Sequence, residues 1–289
     1  MRLAIASGKG GTGKTLIATS LARLWADQGR AVAYADADAD EPNGHLLLNP
    51  AITREERFSV KVPVLKEERC AGHGKCQDIC AFNAILSLKD SVLVFNELCH
   101  GCGACLLACP DNALTERDRE IGTISRGMAN GVKFYGGRLD VGEARVTPLI
   151  AGVVDAALDN ASDEELIIID SPPGTSCSTM AAIEQADLLL LVTEPTPFGM
   201  HDLKLAIELG RALNKKLAAV INRSDLGDNT TKELLEKESV PLLAEIPFDR
   251  AVAESYAASR LPVSTCADFR ERLMLLSEEL DIITRGAAT

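Results

Sequence analysis

Two stretches of this sequence place reactive residue types at fixed spacing. The first, "GKGGTGKT" over residues 8–15, fits the pattern G-x-x-x-x-G-K-[ST] at Gly8, Gly13, Lys14 and Thr15. Glycines at these positions, with Gly10, Gly11 and Thr12 between them, let backbone N–H groups curl toward phosphate oxygens. Lys14 would neutralise the β and γ phosphates and Thr15 would offer its hydroxyl to Mg²⁺, while the helix that follows adds its dipole. The second stretch, "CHGCGACLLACP" over residues 99–110, is C-x-x-C-x-x-C-x-x-x-C-P at Cys99, Cys102, Cys105 and Cys109. Thiolates so spaced give three ligands to one [4Fe–4S] cube and a fourth to a neighbouring cluster.

"CAGHGKCQDIC", residues 70–80, repeats that run with Cys70, Cys76 and Cys80, but His73 stands in the second cysteine position and Ala81 replaces the proline. A zinc ribbon uses paired CxxC units, not two long runs about thirty residues apart. The expected ligand sets interleave. Cys80 completes the cluster of Cys99, Cys102 and Cys105, and Cys109 completes the one held by Cys70 and Cys76. Three readings of His73 stay open: imidazole on the fourth iron of a [4Fe–4S] cluster, a vacant corner leaving [3Fe–4S], or an exposed side chain without metal contact. Replacing thiolate by imidazole removes negative charge and should raise the reduction potential. Cys266 reads as a structural thiol, and His45, His100 and His201 carry no ligand pattern.

The elements that must position these residues follow from the apolar pattern. "LAIAS" reads as a strand before the glycine loop, and "LIATSLARLWADQG" puts Ile17, Leu21, Leu24 and Trp25 on one helical face. "AVAYADAD", "ELIIID", "DLLLLVTEP", "KLAAVINR" and "PLLAEIP" are near-continuous apolar runs separated by helical stretches, as in parallel strands buried on both faces. The expected fold is α/β, a doubly wound and mostly parallel sheet, with a small inserted α+β iron–sulfur unit. The domain over 1–60 and 115–289 is thus interrupted by 61–114. Residues 115–146 read as short strands and turns, with "NG", "GG" and "VGE" as turn signals.

The chain resembles the MinD/ParA superfamily of ATPases on "KGGTGKT", where Lys9 follows the first loop glycine as in that family's deviant Walker A motif. The resemblance implies ATP and Mg²⁺ as cofactors, a homodimer in the ATP state, and Lys9 reaching the partner's phosphates in trans. It implies further roles in "DADADEPN", "IIIDSPPGT" and "INRSD". Asp38 matches the aspartate that orients the attacking water, and Asp36 the one before it, whereas Asp40 and Glu41 read as a solvated loop. Asp170 would lie near Mg²⁺, Gly174 where the γ-phosphate is sensed, and Asn222 where the base is read, with turn-capping as the competing reading of Asn222. Adenine over guanine rests on the family, since "NRSD" also looks like a guanine-reading motif. With the cysteine insertion, the chain resembles MinD-like ATPases carrying a two-cluster ferredoxin domain. The nitrogenase iron protein, a relative on that fold, has a cluster-ligating cysteine at the place of Cys177, which implies a bridge across an ATP dimer; a buried structural thiol is the commoner alternative.

Bulk properties remove several function classes. A net charge of −12 argues against nucleic-acid binding through the phosphate backbone. Aromatic residues at 4% leave little for base stacking. Apolar runs such as "LLLLV" are too short to span a bilayer, and the C-terminal "RERLMLLSEELDIITRGAAT" is acidic on its polar face, poor for anionic lipid. The chain begins directly in a strand, which points to a cytoplasmic protein. Three functions compete: an ATP-driven redox component, an ATP-dimerised scaffold with redox-sensing clusters and an unidentified protein partner, and an iron–sulfur carrier of Mrp type. The last is lowered because no CxxC follows residue 109.

Overall fold

The computed structural model describes residues 1–88, 91–162 and 165–285. In the first third, β1 (Arg2–Ala6), α1 (Lys14–Asp27), β2 (Val32–Asp36), α2 (Gly44–Leu48) and β3 (Ala51–Leu65) follow one another. A cysteine-rich lobe comes next, with α3 (Lys75–Asp78), β4 (Ile85–Leu88), β5 (Ser91–Val94) and α4 (Ala104–Ala108). The chain returns through β6 (Leu114–Ala129), β7 (Val132–Leu139), α5 (Val146–Asp159), β8 (Leu166–Asp170) and α6 (Cys177–Ile183). It ends with β9 (Leu188–Thr193), α7 (Pro197–Ala212), β10 (Lys216–Asn222), α8 (Thr230–Lys237), β11 (Leu242–Ile246), α9 (Arg250–Ala257), α10 (Pro262–Thr265) and α11 (Ala267–Arg285).

Nine strands form one sheet in the order β11-β10-β9-β1-β8-β2-β7-β6-β3. The seven from β11 to β7 are parallel, and β6 and β3 add antiparallel at one edge. β8 and β9 are buried along their whole length, which is why they read as unbroken apolar runs. One face of the sheet is covered by α1 and α11. Ile17, Leu21 and Trp25 pack there with Phe269, Leu273, Leu276 and Leu280. The Trp25 indole donates to Ser277 at 2.7 Å, tying the two helices together. The apolar stripe of α11 is therefore core, and among the described residues no helix is long and apolar enough to cross a membrane.

The region over 115–146 differs from its sequence reading. Instead of short strands, β6 is one strand of 16 residues that pairs with nearly the whole of β3, from Ala51↔Met128 to Leu65↔Leu114. Its polar middle is held by cross-strand ion pairs, Arg57–Glu120 and Lys61–Asp118 among them. "NG" is a real turn, with Asn130 and Gly131 at φ 50° and 88° joining β6 to β7. "GG" is not. Gly136 and Gly137 lie within β7, and a Cβ on Gly137 would meet Val153 of α5 at 2.7 Å. The glycines let a helix approach the sheet, and a turn signal in sequence cannot be told from that.

The cysteine lobe sits at the tip of the β3–β6 ribbon. It has its own small core of Cys76, Ile85, Val92, Cys105 and Leu114, whereas Cys99 belongs to the main core beneath α5.

Candidate functional site

Three carboxyl ends of adjacent strands converge beside the glycine loop. Ile5 of β1 lies in register with Asp170 of β8, and Asp170 with Asp36 of β2, so both aspartates end beside residues 8–15. This is the ligand position of open α/β sheets. A cavity of about 520 Å³ opens there, lined by Gly10, Gly11, Gly13, Lys14, Thr15, Asp38 and Asn222, and its size suits a nucleotide.

Backbone conformation explains the glycines that matter most. Gly13 has φ 98°, and a Cβ there would stand 2.4 Å from the Asn222 amide nitrogen. Gly8 is closed in differently, since a Cβ would strike the backbone of Asp202 in α7 at 2.2 Å. The Asn222 amide donates to the Thr12 carbonyl at 2.8 Å while its residue lines the cavity, so it holds the loop rather than capping a turn. Gly174 takes φ 89°, and its N–H donates to the Ser7 carbonyl at 2.9 Å, docking the "SPPGT" loop on the glycine loop.

The electrostatics are unusual for a buried place. Lys14 is buried, and burial lowers its pKa while Asp170 and Asp38 push it back up. Burial raises Asp38 to about 6, with Asp170 adding and Lys14 opposing. Asp36 and Asp170 are both raised by burial; Asp36 is raised further by Asp170, and the Thr15 hydroxyl, Lys14 and the Tyr34 hydroxyl oppose the rise at Asp170. Tyr34 donates to Asp170 Oδ2 at 2.8 Å, and Gly44 N–H to Asp36 Oδ2 at 2.9 Å. Asp36 Oδ1, Asp170 Oδ1 and Thr12 Oγ1 are buried without any partner. Orphaned carboxylate oxygens beside Thr15 fit a hard divalent cation, the metal implied by the glycine loop.

A pH dependence follows. A carboxyl whose folded pKa exceeds its unfolded one binds its proton more tightly in the native state. That stabilisation is whole below about pH 4 and disappears as pH rises through the folded value. For Asp38 the window runs up to about 6. Nucleotide-free protein carrying Asp38→Asn should therefore gain thermal stability relative to wild type as pH rises from about 4 to 7. Mg²⁺ with nucleotide should raise the wild-type midpoint more at pH 7.5 than at pH 5. Melting curves test both, and a variant-to-wild-type difference that stays constant with pH would refute the assignment.

Lys9 does not point into the cavity. Its Nζ lies 3.3 Å from Glu194, a buried carboxylate at the end of β9 that Arg223 also pairs with. Asp40 and Glu41 are both exposed as expected, and Glu41 also stands at the edge of the cavity. The far wall was not legible in the sequence. Ile246, Pro247, Phe248, Val252 and Tyr256 close the cavity from the β11–α9 connection. Their only advance signal was position, a loop at the carboxyl end of a parallel strand.

In the lobe, the cysteines fall into two groups. Cys80, Cys99, Cys102 and Cys105 line one cavity. Cys76 is raised by burial, and the neighbouring thiols that add to the rise are Cys109 and Cys70. Burial likewise raises Cys99 and Cys105, the latter to about 11, with Cys102 adding in both cases. The two halves match in backbone. Gly101 and Gly103 have φ 68° and 71°, and Gly72 and Gly74 have 70° and 72°. Ala84 N–H points at Cys80 Sγ and Ala113 N–H at Cys109 Sγ, each at 3.3 Å. Among the described residues no three Cys, His, Asp or Glu side chains converge as a single ion would require. A four-iron cube binds each thiolate through its own corner iron and so needs them further apart. Grouped thiols with N–H groups aimed at sulfur fit that donor set.

The remaining candidates are scattered. Cys177 is exposed at the start of α6, contrary to the buried alternative, and Cys266 is half-buried beside Thr265. His100 stacks on Phe82 with centroids 3.7 Å apart, and His45 and His201 are exposed.

Residues 3–263 match the CobQ/CobB/MinD/ParA nucleotide binding domain family. An uncharacterized protein of Methanocaldococcus jannaschii is 34% identical over 97% of this chain and 96% of its own length. An iron–sulfur cluster carrier protein of Pyrococcus abyssi is 24% identical over 88% of this chain and 76% of its own. In fold, the chain is similar to the septum site-determining protein MinD of Pyrococcus horikoshii complexed with Mg-ADP, with a TM-score of 0.61 and 19% identity over 98% of this chain and 96% of that one. A match over most of the length, on a sheet whose strand ends surround the glycine loop, makes this chain a member of the CobQ/CobB/MinD/ParA nucleotide-binding family.

Proposed function

We propose that this protein is an ATP-hydrolysing switch that dimerises around ATP and acts on two iron–sulfur clusters held in its cysteine lobe. The nucleotide half rests on the cavity just described. Lys14 and the loop N–H groups from Gly8 to Thr15 bind the phosphates, and Thr15 with Asp170 holds Mg²⁺. Asp38 accepts a hydrogen bond from the attacking water, Gly174 follows the γ-phosphate, and Asn222 keeps the loop beside the base. The cluster half rests on the two thiol groups, with Cys80, Cys99, Cys102 and Cys105 as one set and Cys70, Cys76 and Cys109 in the other. When bound, such clusters supply one-electron transfer.

The observation that carries the coupling is one chain of contacts. Arg145, buried at the start of α5, donates to the Cys99 carbonyl and is gripped by Glu143, which Arg119 also pairs with at 2.6 Å. Two residues along α5, the Thr147 hydroxyl lies 3.4 Å from that of Ser178 in α6, the helix that follows Gly174. On this reading, the loop that follows the γ-phosphate is linked through α6 and α5 to the backbone of a cluster ligand. Coupling needs an element with two arrangements, and on this reading α6 with its preceding loop is that element.

Anaerobic EPR with and without ATP tests the reading. ATP should shift the reduced signal or midpoint potential of at least one cluster, and Arg145→Met should lose that shift while keeping ATP turnover within about twofold of wild type. A signal indifferent to ATP in the wild type sinks the redox coupling and leaves a scaffold. Rapid transfer of a cluster to an apo-ferredoxin would instead favour a carrier, the role named for the Pyrococcus abyssi relative.

A further inference from the structure

The two halves of the lobe match position by position, so their differences are informative. Gly72, His73 and Gly74 have the backbone of Gly101, Cys102 and Gly103, left-handed glycines included, and each triplet leads into a short helix carrying the next cysteine. His73 therefore occupies the position of Cys102. The remote cysteines match as well. Cys80 and Cys109 each accept an N–H four residues on, and Asn83 and Asn112 follow at φ 50° and 49°. By that alignment Asp111 stands where the other half has Phe82.

One half thus carries cysteine and phenylalanine, the other histidine and aspartate. The two altered residues meet, His73 Nδ1 lying 2.8 Å from Asp111 Oδ2. A carboxylate only accepts, so Nδ1 is the donating nitrogen of this pair, and Nε2 is the nitrogen left over for another partner. Histidines that bind metals are held in this way, with the outer nitrogen donating to a carboxylate and the inner one free to ligate. In the matched half, Phe82 lies in the cavity with Cys102 and stacks on His100, and no acidic partner is needed for a thiolate.

We infer that His73 is the fourth protein ligand of the cluster held by Cys70, Cys76 and Cys109, through Nε2, and that Asp111 is the residue that positions it. The inference rests on the proposed iron–sulfur content of the lobe and specifies its second site. One imidazole in place of one thiolate makes that cluster less negative by one charge, so the two clusters differ in potential, the His73 site lying higher. Asp111 sets the ring's orientation and tautomer and does not itself touch iron.

The test uses the full-length protein, reconstituted anaerobically with iron and sulfide, reduced by dithionite, and labelled with ¹⁵N-histidine. Pulsed EPR should show histidine nitrogen coupled to one reduced cluster, with about eight irons per chain. His73→Cys should keep the iron count, lose the coupling and lower the potential of that cluster. Asp111→Ala should weaken the coupling or free the fourth iron, whereas a merely structural aspartate would leave the nitrogen signal unchanged. Eight irons without nitrogen coupling, or a three-iron cluster in the wild type, would overturn the histidine assignment and leave the iron–sulfur reading standing. Protein that takes up no iron under these conditions would overturn both.

Discussion

Replacing Lys14 by alanine is expected to lower ATP turnover by about a thousandfold or more, the scale on which a fixed charge at transferring phosphates acts. The lysine is buried, and its neighbours are carboxylates rather than solvent. Its loss has two consequences. The cavity loses the charge that would face bound phosphates, and Asp38 loses the group that opposes its rise to about 6, so a larger fraction of it is protonated near neutral pH. Arginine should not rescue, because its planar fork is wider than an ammonium in a closed loop. Phosphate release and nucleotide binding, measured side by side, check this. Turnover by Lys14→Ala within tenfold of wild type would remove the cavity from consideration as the hydrolytic site.

The second large effect concerns Lys9. Supplied across a dimer interface, it should contribute on the order of 10³ to 10⁵ in rate, as a charge delivered in trans does elsewhere. In the single chain it rests on its own Glu194 at 3.3 Å, so catalysis requires it to leave that partner. Glu194 would then keep Arg223, which leaves the buried carboxylate paired when Lys9 departs. Lys9→Ala and Asp38→Ala should each be inactive alone. Mixed in equal amounts they should recover about a quarter of wild-type turnover, because half of randomly formed dimers are mixed and each has one complete site. No recovery on mixing, with dimers present by light scattering, would mean that Lys9 acts within its own chain.

What could be read in advance divides by the range of the interaction. The glycine loop was legible because Gly8 through Thr15 are consecutive, and the burial of β8 and β9 because "LIIID" and "LLLLVT" state it residue by residue. Asp36 and Asp170 stood out as the acidic ends of apolar strands, yet their adjacency depends on β8 inserting between β1 and β2. The cavity wall at Ile246, Phe248 and Tyr256 is contributed by shape alone, and apolar residues at a strand end, in a loop and on a helix carry no signature of a site. The length of β6, read as short strands, escaped notice for the opposite reason. "TERDRE" has no apolar alternation, because pairing with β3 and charges across the ribbon hold it rather than burial on one face. The pairing of His73 with Asp111 joins positions 38 apart in sequence, and nothing short of a folded chain brings them together.

The ribbon that carries the lobe has a consequence for how such a chain arises. Leu65 and Leu114 are register partners, and Lys66 N–H donates to the Ala113 carbonyl at 2.7 Å, so the lobe leaves and re-enters through a doorway one strand-pair wide. A unit added there leaves the ladder of the parallel strands untouched, since β4 and β5 of the lobe form a two-stranded sheet of their own. Closing the longer loop costs only a logarithm of its length. A nucleotide-binding sheet of this kind can therefore acquire or shed a cysteine-rich lobe by a single change at a hairpin tip, with the bond from Arg145 to the Cys99 carbonyl as one contact between the lobe and the start of α5.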